Sequence, residues 1–217
     1  MMRLAMAIGC VCWLAACGFG EPATTSADIT KVSQVKSSFG PDFQVKDIPK
    51  TGIDPKLLSS HKLPEGLQFK PADCAKFVVG QQMPSGLQGN MAAVSAEGNG
   101  NRFITIALQT SQALPFNDPG RNCTKVEFFG GPVRGFVEVV DVPQIDGTRT
   151  LGVHRKVQTV ADGQPRTGEL YTYSAHFGDY QVIVTANPLV VPDKPVAAVD
   201  TERARDLLVK AVAAVRS

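Results

Sequence analysis

Histidine, tryptophan and charge imbalance are what this chain has least of. Three histidines and one tryptophan stand in 217 residues, and 22 basic side chains face 20 acidic ones, for a formal charge of +2. So small a surplus removes the bulk electrostatic motive for binding DNA, RNA or a strongly acidic substrate. No apolar run reaches the roughly 18–20 residues that span a bilayer as a stable helix. Catalytic patterns are missing too: Gly-x-Ser-x-Gly, His-Glu-x-x-His, the phosphate-cradling glycine loop and the dinucleotide fingerprint do not occur. What the chain does have is a hydrophobic fraction of 43%, with 20 Gly and 15 Pro. That is enough apolar material for a core and too many turn residues for a helical bundle.

The N-terminus carries an address. Met1-Met2-Arg3 precedes 13 uncharged residues that end in Leu14-Ala15-Ala16, and Cys17 follows. A positive start, a short apolar stretch and small residues at the cleavage point make a secretory signal peptide of residues 1–16. Leu14-Ala15-Ala16-Cys17 resembles the lipobox of bacterial lipoproteins, which implies that Cys17 is acylated and becomes the first mature residue. Two or three acyl chains on one residue anchor a protein stably. Residues 17–28 are small and polar, as a flexible tether should be. Thr24, Thr25 and Ser26 within it are either sites for O-linked sugars or plain linker hydroxyls.

Of five cysteines, Cys10 and Cys12 leave with the signal peptide and Cys17 takes the lipid. Cys74 and Cys123 remain, an even pair in an oxidising compartment, and read as one disulfide closing a 49-residue loop. Two free buried thiols are the alternative. A redox pair is disfavoured by the absence of Cys-x-x-Cys.

A single globular domain is expected over 29–217. Ile29, Val32, Val35 and Phe39 recur at helical spacing behind a capping Asp28. A short strand is expected over 42–48, an irregular stretch over 50–70, and one or two helical turns from Pro71 to Val79. Strands are expected at 90–96 and 102–109; the second is apolar on both faces and belongs mid-sheet. From 124 to 187, five strands rich in Val, Phe, Tyr and Thr follow, with Asp146-Gly147, Asp162-Gly163 and Gly178-Asp179 between the last four as hairpin signals. Consecutive hairpins make an antiparallel meander.

A two-residue turn at Gly178-Asp179 sets Phe177 opposite Tyr180 and gathers Tyr171, Tyr173, Ala175, Val182 and Val184 on one apolar face. Bringing Leu151, Val153 and Val157 onto it requires an odd loop around Asp162-Gly163, of three or five residues. From Val199 to Val215, one stripe carries Leu207, Leu208, Ala211 and Val212, so a closing helix should lie across that face. The expected class is α+β: an antiparallel meander with an N-terminal and a C-terminal helix on one face.

Candidate chemistry is sparse. In this register His154 and His176 share the polar sheet face, with His154 opposite Thr172. They then stand roughly 13 Å apart along the strand direction at about 3.3 Å per residue, too far to share one metal. Arg155, opposite Tyr171, either lays its stem along that ring or reaches a pocket. Ser33-Gln34-Val35-Lys36 and Lys50-Thr51-Gly52 imitate two motifs of serine β-lactamases, but only 13 residues separate them and Ser-Asp-Asn is missing. No catalytic residue, metal site or cofactor is expected.

Asp28-Ile29, Gly40-Pro41-Asp42-Phe43-Gln44-Val45, Pro71-Ala72-Asp73-Cys74, Val94-Ser95-Ala96-Glu97-Gly98, Asn122-Cys123 and Asp146-Gly147 resemble a family of mycobacterial secreted lipoproteins of unknown function. At fold level that family is similar to the extracellular sensor domains of certain mycobacterial receptor-type serine/threonine kinases, which hold two disulfides and a cleft proposed to take a ligand. The resemblance implies an exported module anchored to the outer face of the cell membrane through Cys17. It would bind an unknown envelope ligand or protein without transforming it. The competing expectation is a lipid or glycolipid carrier, with an apolar cavity beneath a closing helix whose Ala211, Ala213 and Ala214 leave space.

Overall fold

Turn chemistry sets the order of the strands. In a computed structural model, the structure describes residues 27–53, 63–80, 84, 86–161, 163–192 and 194–217. Cys17, Thr24, Thr25, Ser26 and His61 lie outside those residues. Nine strands form one antiparallel sheet: β1 (Phe43–Gly52), β2 (Gln68–Lys70), β3 (Gly89–Gly98), β4 (Asn101–Thr110), β5 (Lys125–Gly130), β6 (Val133–Val140), β7 (Arg149–Ala161), β8 (Gln164–Phe177) and β9 (Tyr180–Pro188). Their spatial order is β1-β3-β4-β9-β8-β7-β6-β5-β2. The meander from β5 to β9 is thus present, and apolar β4 sits well inside the sheet. At the β3–β4 turn, Asn99 and Gly100 take φ of +50° and +74°, the positive pair that a twist-compatible hairpin turn demands. The short β2 falls in a stretch expected to be irregular; Phe69 pairs with Phe128 of β5.

Both expected helices lie on one face, here the inner face. The first, Ile29–Ser38, is a 3-10 helix, capped by the Asp28 carboxylate accepting from the Thr30 amide at 2.9 Å. Its buried residues, Ile29, Val32 and Val35, are spaced by three, the period at which 3-10 side chains eclipse. The C-terminal α2 (Thr201–Arg216) is capped by Asp200, which accepts from the Arg203 amide at 2.9 Å. Ala204, Leu207, Leu208, Ala211, Val212 and Val215 of α2 are 0–1% exposed and pack with Tyr173, Ala175, Val182 and Val184 of the sheet. Between them, α1 (Ala75–Val79) and its leading 3-10 turn, Ala72–Cys74, lie on the opposite, outer face.

One expectation fails: the β7–β8 register. Ala161 pairs with Gln164, so the turn at 162–163 has two residues, and every odd position of β7 faces an even position of β8. Leu151 therefore opposes Ser174 and Val153 opposes Thr172, on the outer face. The polar segment 164–168 continues β8 as exposed strand. The physical reason is that the sheet is covered on both faces. Leu151, Val153 and Val157 leave the inner face to join Cys74, Phe77, Val78, Val126, Phe128 and Val137 in a second core. A third cluster, Met91, Ala93, Ile106 and Leu108, covers the outer face of β3 and β4.

Thr105, within the inner core on β4, is 1% exposed, and its hydroxyl has no hydrogen-bond partner among the described residues. An unmet buried hydroxyl costs about 1–3 kcal/mol, so Thr105→Val, which keeps the branched shape, should raise stability by about 1 kcal/mol. Urea unfolding checks this; an unchanged or lower midpoint contradicts it.

Candidate ligand-binding cleft

On the outer face the second and third cores do not meet. Beside the second core, residues of β7, β8 and β9 floor a cleft of about 560 Å³, walled by Leu63, Val133, Val157, Leu170 and Val190. It abuts a smaller hollow of about 170 Å³ over Thr172, Ser174, His176, Gln181 and Ile183. Arg155 and Leu170 line both.

The disulfide sets one wall. Cys74 and Cys123 are bridged, with their Cα atoms 5.4 Å apart, which ties the start of α1 to the loop before β5. The last carbonyls of a helix lack internal partners. Here Asn117 Nδ2 donates to the Phe77 carbonyl at 3.1 Å, and Arg155 Nη2 donates to the Val78 carbonyl at 2.6 Å. Burial pushes the Arg155 pKa below the usual arginine range.

The corrected register moves three sequence-selected side chains. Arg155 opposes Leu170 rather than Tyr171, so it reaches the pocket instead of lying on that ring. His154 takes the place opposite Tyr171, stacked at 4.1 Å between centroids, while His176 stays on the outer face. The two histidines are therefore on opposite faces. His154 is 7% exposed; Nδ1 is 2.9 Å from Glu138 and Nε2 is 2.9 Å from Glu169, with the Phe136 ring at its edge. Both contacts are hydrogen bonds when both ring nitrogens carry hydrogen. Among the described residues, no group of three His, Cys, Asp or Glu side chains is placed to hold a metal.

His176 sits at the narrow end of the cleft. Its Nε2 is 2.9 Å from Gln181 Nε2, and Phe116 meets its ring edge-on at 5.2 Å. Arg149 stacks over Phe116 at 4.0 Å. Burial first, then the Arg149 charge, pushes the His176 pKa down to about 4. Its neutral Nε2 then accepts from the Gln181 amide. A folded pKa below the unfolded value means stability is intact above about pH 6.5 and falls as pH drops toward 4. After allowance for solvent screening the loss is about 2–3 kcal/mol. His176→Gln should flatten that part of the pH–stability curve; parallel wild-type and variant curves from pH 7 to 4 would contradict it.

The sequence reading singled out neither Gln181 nor the cleft as a whole. The signal available was Arg155, a lone charge in an apolar row, whose fate turned on one residue of loop length.

No curated protein matches the chain. Among solved structures, the crystal structure of an uncharacterized protein from Mycobacterium smegmatis, an Rv0999 ortholog, is 64% identical with a TM-score of 0.85, covering 90% of this chain and 100% of that one. The extracellular domain of PknH from Mycobacterium tuberculosis matches at 12% identity and a TM-score of 0.35, over 84% of this chain and 90% of that one. The model of a domain of unknown function, DUF5642, matches residues 28–216, and the chain belongs to that family.

Proposed function

We propose that this protein is an exported, lipid-anchored module of the cell envelope, held through acyl chains on Cys17, that binds a ligand in the β7–β9 cleft without transforming it. The cleft carries the reading: its volume of about 560 Å³ is typical of small-molecule sites, which run roughly 300–1,000 Å³. The two side chains nearby that could act as nucleophile or base are already engaged, Ser174 with the Leu151 carbonyl at 3.5 Å and His176 with Gln181, which supports binding over chemistry. A carrier needs open apolar volume beneath α2. Leu207, Leu208 and Val212, at 0–1% exposed, occupy that layer, which favours the binding module.

The test is mass spectrometry of the full chain purified from membranes of its native host. The expected results are an acyl mass on Cys17, absent from Cys17→Ser protein, and a co-purifying small molecule. Membrane partition and acyl mass surviving Cys17→Ser would refute the anchor. Turnover of an envelope ester or glycoside by pure protein, lost on Ser174→Ala or His176→Gln, would replace binding with catalysis.

A further inference from the structure

The cleft is lined by a partly buried cation, Arg155. Arg155 Nη2 gives one hydrogen bond, to the Val78 carbonyl, and no carboxylate among the described residues pairs with its guanidinium. A guanidinium carries five N–H donors and stays charged in proteins, so most of its donors are unspent among the described residues, at a position that lines the cleft. The other charges there are differently placed. Arg102 pairs with Glu97 at 2.7 Å, Arg166 is engaged in an interaction of its own, and the one acid among the lining residues, Glu169, binds His154 on the far face of the sheet. A desolvated charge without a partner is costly, and a ligand that supplies the partner recovers that cost. The walls beyond it, Leu63, Val133, Val157, Leu170 and Val190, offer apolar surface and no anion.

We propose that the cleft takes an anionic amphiphile, with an oxyanion head (carboxylate or phosphate monoester) on the Arg155 guanidinium and an apolar body along the Val133, Val157 and Leu170 wall. This rests on the binding reading above and names the ligand class for the same site. The planar fork of arginine suits a two-oxygen head, and each charge-assisted bond is roughly twice as strong as a neutral one.

The experiment is calorimetric titration of the disulfide-bonded mature protein with decanoate, decyl phosphate, decanol and inorganic phosphate, each below its aggregation concentration. Decanoate or decyl phosphate should bind about 10–100-fold more tightly than decanol, the ratio expected for a hydrogen bond to a charged group. The tighter of the two identifies the head. Inorganic phosphate, lacking the apolar body, should bind more weakly than either. Arg155→Gln should bring the anions close to decanol, Arg155→Lys should keep part of the preference, and Lys46→Gln, on edge strand β1 outside the cleft lining, should leave it within about threefold. Matching unfolding midpoints confirm that the variants fold, and the wild-type ratio stands without them. Decanol binding as tightly as the anions, or an unchanged preference in Arg155→Gln, overturns the proposal. A neutral molecule found on the native protein overturns the ligand class and leaves the binding reading intact. An empty native protein that also ignores all four probes overturns both.

Discussion

Replacing Cys74 and Cys123 together by serine should lower the stability of the mature domain by about 4 kcal/mol. The bridge closes a 49-residue loop, and the chain-entropy relation for a loop of that length gives this magnitude. Native geometry offers little to subtract, because Cys74 is 1% exposed within a packed core and its helix is held at three further points. Those are the Asn117 bond to Phe77, the Arg155 bond to Val78, and the burial of Phe77 and Val78 themselves. Equilibrium urea unfolding of the double variant, with the slope fitted separately, measures the loss. A difference under about 1 kcal/mol would mean that these contacts, not the cross-link, restrain α1. The variant carries a second readout at the cleft. A loosened α1 withdraws the Val78 carbonyl from Arg155, so ligand affinity should fall before the fold is lost.

How far the sequence could be read depended on whether one residue more or less in a turn mattered. At 178–179 it did not: Gly178-Asp179 sets Phe177 opposite Tyr180, and the pairs Ala175–Val182 and Tyr173–Val184 follow. The same logic at 162–163 needed a loop length, and it was inferred from the wrong assumption that one face of the sheet holds all the apolar residues. Val126, Phe128 and Val137 already mark a second apolar face, which explains why Leu151, Val153 and Val157 turn outward. Because strand side chains alternate, that one slip moved the partners of His154 and Arg155 by one residue, to Tyr171 and Leu170. Of the two alternatives for Arg155, the Tyr171 ring or a pocket, the observed register selects the pocket.

The helices were easier, for a physical reason. Asp28 announces the first helix by capping, and the buried stripes of both helices are uninterrupted; Asp200, which caps the second, fell inside a helix expected from Val199. The 3-10 character of Ile29–Ser38 was also present in the sequence, in the interval of three between Ile29, Val32 and Val35, but interval alone separates two helix types only over several turns. The cleft was not legible. Its smaller end, over Thr172, His176 and Ile183, lies where two clusters distant in sequence, one around Phe77 and Val137 and one around Met91 and Leu108, stop short of each other across β8 and β9. No local pattern in a chain encodes a gap between two cores.

Leu208→Ala should cost about 3–4 kcal/mol, and its cost separates a filled domain from a carrier. Leu208 is fully buried in the layer between α2 and the sheet, in the cluster that holds Tyr173, Ala175, Val182 and Val184. Truncating a leucine in a close-packed core removes its transfer energy and leaves a cavity, with measured costs of about 2.7–5.0 kcal/mol. Alanine is the better helix former, so the backbone term offsets only a few tenths of that loss. A channel already lying under α2 would change both expectations. The shortened side chain would then border space that existed before, the loss would fall below about 1 kcal/mol, and decanol would bind the wild type beneath the helix. With the layer filled, wild-type protein should gain no affinity for decanol from that region, and only the variant should acquire a pocket, one of roughly leucine size. Unfolding midpoints and decanol titration of wild type and Leu208→Ala, set beside Arg155→Gln, then place any apolar ligand on one face of the sheet or the other. Wild-type affinity for decanoate that falls in Arg155→Gln and is unchanged in Leu208→Ala belongs to the outer cleft, and wild-type affinity for decanol that is lost or altered in Leu208→Ala belongs to a carrier.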